Sequence, residues 1–143
     1  MHVARLLEHK GAEVVTVSRS ASVSEALAIL AHYEIGALVV TDDGRRIAGI
    51  LSERDIVRAL NVAGSMVLDQ RVATLMSINP QTCEPKDVLD DLMGRMTELR
   101  IRHLPVVIDG EVSGIVSIGD VVKARIDELE ATHRQMVDYI SAR

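Results

Sequence analysis

Two seven-residue segments carry the most legible chemistry in this sequence: Gly49-Ile50-Leu51-Ser52-Glu53-Arg54-Asp55 and Gly114-Ile115-Val116-Ser117-Ile118-Gly119-Asp120. In each, a glycine permits close backbone approach. A serine stands where a helix N-cap belongs, and an aspartate follows three residues later. The free N–H groups of a helix N-terminus attract anions and hydroxyl oxygens. An ionised carboxylate has two acceptor oxygens and matches the two donors of a ribose 2′,3′-diol. The same Ser-x-x-Asp spacing is also a capping box, which needs no ligand. At the level of residues, both readings of Ser52, Asp55, Ser117 and Asp120 therefore stand. Arg54 lies in the first turn of its helix, where the dipole disfavours a cation. A nearby phosphate or plain solvent exposure would each account for it.

Other reactive residues are sparse. There is no Walker sequence, no Gly-x-Ser-x-Gly and no His-x-x-x-His pair, and the five histidines are scattered. The single cysteine, Cys83, excludes an internal disulfide and an all-cysteine metal site. Nothing beside it would activate a thiolate, so it reads as a small buried apolar residue. No catalytic apparatus, obligatory cofactor or metal is expected. The net charge of −5 and the lack of a Lys/Arg run argue against nucleic acid. Phe and Trp are absent and there are two Tyr, so no base-stacking platform exists. No apolar stretch of about 18 residues suggests a membrane span. The start, Met1-His2-Val3-Ala4-Arg5, lacks the apolar core of a signal peptide. A cytoplasmic protein is the expectation.

The elements that hold these segments come in two copies. Ile35-Gly36-Ala37-Leu38-Val39-Val40 answers Ile101-Arg102-His103-Leu104-Pro105-Val106, and Thr16-Val17 answers Thr82-Cys83. The lead-ins match as well, Val3, Leu6 and Leu7 answering Val72, Leu75 and Met76. Such internal similarity signals a tandem architecture. A short strand is predicted over 14–17 and at 82–83. Ser22-Val23-Ser24-Glu25 opens a helix with a capping box, and Val23, Leu27 and Leu30 recur at helical spacing. Val88, Leu92 and Met96 do the same in the second copy. The run 37–41 is a buried strand, Asp42-Asp43-Gly44 and Asp109-Gly110 are hairpin turns, and 47–51 is the next strand. A helix begins at Ser52, and 61–71 joins the copies. The order is strand, helix, strand, strand, helix, twice. A unit of about 50 residues buries too little surface to stand alone. The two should share a core and leave clefts at their junction, where small ligands bind. The aliphatic core follows from 48% hydrophobic residues with almost no aromatics.

Two βαββα units, each ending in Gly-hydrophobic-x-Ser-x-x-Asp, resemble a tandem pair of cystathionine-β-synthase (CBS) repeats, the Bateman module. The resemblance implies an α/β (α+β) fold of two intertwined repeats, 3–62 and 72–126, with a C-terminal helical extension over 127–143. It implies a regulatory sensor, not an enzyme, that binds AMP, ADP, ATP, NAD or S-adenosylmethionine between the repeats and signals to a protein partner. A scaffold with vestigial sites is the alternative. It gives Asp55 and Asp120 the ribose, and it sets Arg102, His103 and Pro105 against the ligand's phosphates. Adenine is placed near Thr16 and Thr82. From the residues alone, His103 reads equally as a partly buried histidine, and the threonines as strand formers. The first copy departs with Gly36-Ala37 for the basic pair and Val39 for Pro105. The second departs with Ile118-Gly119 for Glu53-Arg54. The two sites are therefore unequal.

From Val122 the chain continues as a helix. Val122, Ile126, Leu129, His133, Met136 and Ile140 form an apolar stripe with one histidine, and Glu130 and Arg134 form an i,i+4 pair. The stripe could fold back on its own domain or form a seam between two chains. The resemblance favours the seam, and hence a homodimer.

Overall fold

The computed structural model describes residues 1–11 and 13–142. Ala12 in the first repeat and Arg143 at the end of the extension lie outside the described residues. The elements run α1 (Val3–Lys10), β1 (Thr16–Val17), α2 (Val23–Tyr33), β2 (Ala37–Val40), β3 (Gly49–Ser52) and α3 (Glu53–Ala63). A 3₁₀ segment, Gly64–Asp69, leads to α4 (Val72–Leu75), β4 (Ser77–Ile78), α5 (Leu89–Leu99), β5 (His103–Ile108), β6 (Glu111–Ser117) and α6 (Ile118–Ser141). This is the expected α+β order, repeated.

Among the described residues, β1 to β4 form one sheet in that spatial order, with β1 parallel to β2 and the other pairs antiparallel. β5 and β6 form a second, antiparallel pair. The strand expected at 82–83 is reduced to one bridge, in which Cys83 N–H donates to Pro105 O and Val107 N–H to Cys83 O, each at 2.9 Å. Pro80 and Pro85 flank that segment and supply no N–H donors, which keeps it short. The second hairpin turns at Asp109 and Gly110, both at positive φ (52° and 79°), as a tight turn requires. The first is not a tight hairpin. Asp43 Oδ1 instead accepts from the Thr41 hydroxyl and from Arg45 and Arg46 N–H, organising a longer loop from 41 to 48.

Alternation along the strands divides the buried residues. Leu38 and Val40 of β2 join a core with Val17, Val23, Ala26, Leu30, Leu51, Ile56, Val67 and Val72. Leu104 and Val106 of β5 join another with Leu89, Leu92, Met96, Val116 and Val121. The lead-ins cross over. Val3, Leu6 and Leu7 of α1 pack into the second core, and Val72 of α4 packs into the first. The repeats are intertwined because each completes the other's core, as small units must. The glycines that open the two heptapeptides make the crossing possible. A Cβ on Gly49 would lie 2.6 Å from Ser77 O, and one on Gly114 would lie 2.9 Å from Leu7 Cδ2. Each glycine admits the other repeat's lead-in.

Candidate functional site

The strand-to-helix turns form the same local structure. Ser52 Oγ accepts from Asp55 N–H (3.2 Å) and Asp55 Oδ2 from Ser52 N–H (2.9 Å). Ser117 Oγ accepts from Asp120 N–H (3.1 Å) and Asp120 Oδ2 from Ser117 N–H (2.9 Å). Both are complete capping boxes, so the structural role of these four residues is present. It occupies Oδ2 of each aspartate. The first helical N–H groups reach back in the same way, Glu53 to Gly36 O and Ile118 to Arg102 O. This ties the start of each helix to the residue before the neighbouring strand.

Around Asp55 lies a cleft of about 290 Å³ between the repeats. The first repeat contributes Gly36, Ser52, Glu53, Arg54, Asp55 and Arg58; the second contributes Ser77, Arg100, Arg102 and His103. The volume is at the small end of the ligand-site range, roughly 300–1,000 Å³. Four arginines line it, and among the described residues Arg54, Arg58, Arg100 and Arg102 form no ion pair. With His103 they make a surplus of hydrogen-bond donors, suited to a phosphate.

His103 owes its position to Gly36. A Cβ there would sit 3.2 Å from His103 Cε1 and 3.4 Å from Glu53 Oε1. The glycine that replaces the basic residue in the first repeat thus gives room to the histidine of the second. Burial, and next the charge of Lys10, hold the His103 imidazole below its ordinary pKa. It is poised as a neutral ring that an anion would help protonate.

Of the twelve residues expected at ligand sites, this cleft gathers five: Ser52, Arg54, Asp55, Arg102 and His103. Ala37, Val39 and Pro105 are buried, on strand faces opposite to the core residues Leu38, Val40, Leu104 and Val106. They do not line the cleft. Thr16 pairs with Val39 in the sheet. The Thr82 carbonyl accepts from Arg95 Nη2 at 2.7 Å, so that main-chain acceptor is already engaged. Ser117 and Asp120 lie at the other turn. Arg58 and Arg100 escaped the sequence reading. Arg58 was open to it, since it follows Arg54 by one helical turn on the same face. Arg100 was not, because it projects from the left-handed residue after α5 (φ 55°). Glu34 has the same conformation at the equivalent place (φ 54°), so this geometry belongs to the repeat. Cys83 is 2% exposed, and burial pushes its thiol up to about 12, which suits the inert reading. Among the described residues no group of three His, Cys, Asp or Glu could hold a metal, and no helix is long and apolar enough to cross a membrane.

Residues 6–62 and 72–127 each match the CBS domain. The chain belongs to the CBS-domain family. It is a tandem CBS pair, and pairs of this kind are generally regulatory modules. It is 45% identical to the CBS-domain containing protein ATU1752 from Agrobacterium tumefaciens, with a TM-score of 0.85 over 87% of this chain and 99% of that one. It is 25% identical to the CBS domain pair of protein MJ0100, with a TM-score of 0.79 over 90% and 98% of the two chains. That pair was solved in complex with 5′-methylthioadenosine and S-adenosyl-L-methionine. Among curated proteins it is 35% identical over 125 residues to the mitochondrial CBS domain-containing protein CBSX3 of Arabidopsis thaliana. That match takes in 85% of this chain and 59% of the plant protein, so the CBS pair spans little more than half of that relative.

Proposed function

We propose that this CBS pair is a regulatory sensor that binds one of the phosphorylated adenine nucleotides, AMP, ADP, ATP or NAD, in the cleft at Asp55. The observation that carries this reading is that Arg54, Arg58, Arg100, Arg102 and His103 line one cleft together with Asp55. The carboxylate accepts from the ribose hydroxyls, and the cations take the phosphates. The adenosine ligands of MJ0100 support the nucleoside half of the reading. The surplus of cations favours a phosphorylated nucleotide over the sulfonium cation of S-adenosylmethionine. No turnover of the nucleotide is proposed: binding changes the cleft, and a protein partner in the cytoplasm reads the change. Such a signal requires unequal ligand affinity in the two shapes.

A thermal-shift panel of adenosine, AMP, ADP, ATP, NAD and S-adenosylmethionine tests this. A ligand at 100 times its dissociation constant adds about 2.7 kcal/mol. The phosphorylated ligands should stabilise more than adenosine. No stabilisation by any of them would leave the scaffold reading, which the pairing of Lys10 with Asp120 at the second turn favours.

The signalling unit is proposed to be a homodimer. Val122, Ile126, Leu129, Met136 and Ile140 of α6 are 42–68% exposed along one stripe, a patch of the kind that marks association surfaces. Sedimentation at tens of micromolar (about the usual assay range) should show a dimer, and Leu129→Glu a monomer.

A further inference from the structure

The two lead-ins end differently. α4 stops at Leu75, and the chain passes into β4 alongside β3. α1 instead stays helical to Lys10. With Leu7 answering Met76, Lys10 falls where the second lead-in has Asn79. Lys10 Nζ donates to Ile115 O at 2.7 Å and to Asp120 Oδ2, the oxygen that also accepts Ser117 N–H. Asp55 has no such partner: among the described residues its hydrogen bonds are those of its capping box. Burial pushes the Asp120 carboxyl up, but the Lys10 ammonium and the Ser117 N–H outweigh it and hold the group below its ordinary value. The surroundings differ too. The positions that supply Arg54, Arg100, Arg102 and His103 to the open cleft hold Gly119, Glu34, Gly36 and Ala37 in the other copy, and Arg5, His9, Lys10 and Lys123 line the cavity beside Asp120 instead.

We propose that Lys10 is a built-in occupant of the second turn. It holds Asp120 in place of a ligand's hydroxyls, so each chain binds one adenine nucleotide, at Asp55. This rests on the nucleotide reading above. Leu6 and Leu7 anchor α1 in the second core, while Lys10 sits at its last turn, before Gly11 (φ 93°). That turn can release Asp120 without disturbing the anchor. Lys10 is thus the residue that decides how many ligands a chain takes.

Equilibrium dialysis against AMP and against adenosine tests this, on wild type, Lys10→Met, and Lys10→Met combined with Asp120→Asn or with Asp55→Asn. Adenosine is included to separate binding at the aspartates from binding of a phosphate by the cations near each turn. Wild type should bind one equivalent and Lys10→Met two. The gained equivalent should vanish with Asp120→Asn and persist with Asp55→Asn. Two equivalents in wild type, or no gain in Lys10→Met, overturn the proposal. No binding by wild type with one Asp120-dependent equivalent in Lys10→Met upholds Lys10 as the occupant of the second turn while refuting the Asp55 cleft. One equivalent in both proteins does the reverse. Should Lys10→Met melt too early, Lys10→Gln keeps a polar end, one atom shorter and without the charge, and the same counts apply.

Discussion

At Asp55 and at Asp120 the chain makes the same turn twice, with the same serine cap and nearly the same hydrogen-bond lengths. The first opens on a cleft walled by four arginines that form no ion pair among the described residues. The second is bonded to a lysine brought by the swapped helix α1. A local motif determines its own cap, because the bonds involved span only three residues. It does not determine whether its carboxylate is available, because that depends on what the other repeat places beside it. The crossing of lead-ins that stabilises both cores therefore also separates the two turns in function.

The sharpest way to break this comparison is to neutralise each aspartate. Asp55→Asn keeps one acceptor and turns an NH₂ toward the second hydroxyl. It should weaken AMP ten- to a hundredfold, about 1.5–3 kcal/mol. Asp120→Asn should change AMP affinity less than about twofold, since its carboxylate is already engaged. Titration calorimetry on both variants reads the contrast, and equal losses would mean that the turns are equivalent.

Next come the cations that the second repeat brings to the first cleft. Arg102→Ala and His103→Ala should each weaken AMP about tenfold, near 1.4 kcal/mol. Adenosine should lose less than about twofold. Equal losses for the two ligands would assign these side chains to the fold instead.

Without ligand the order of the aspartates should invert. Asp120→Asn removes a partly buried ion pair and should cost about 1 kcal/mol, roughly 3–5 °C in melting temperature. Asp55→Asn loses only a charge at a helix start, about 0.5 kcal/mol. A larger melting loss in Asp55→Asn would contradict the pairing with Lys10.

The smallest effect concerns pH. With its pKa depressed, folded His103 binds fewer protons than the unfolded chain does below the ordinary histidine value. Its contribution to stability is therefore full above pH of about 6.5 and declines as pH falls through the window down to the folded value. A phosphate beside the ring favours the protonated form. AMP affinity should then rise, by up to about threefold, from pH 7.5 to 6.5. His103→Ala should flatten that trend.

Much of this was legible in the sequence because it is local. The internal repeat, the caps at Ser22, Ser52 and Ser117, the apolar periodicity of α2 and α5, and the tight approach at Gly49 and Gly114 follow from residue types a few positions apart. The match of Val3, Leu6 and Leu7 with Val72, Leu75 and Met76 showed that the lead-ins are equivalent, but not which core each would enter. Only the tertiary structure decided that exchange, because burial does not depend on which repeat supplies the side chain. The same holds for the sites. Gly36 looked like a missing basic residue, and the fold made it the space that His103 occupies. Arg100 belonged to no motif, and the left-handed residue after α5 put it in the cleft. Lys10 carried no motif, yet the length of one helix set it on Asp120, more than a hundred residues away. Charges so far apart in the chain meet only when the backbone between them is fixed, and no spacing in the sequence encodes that meeting.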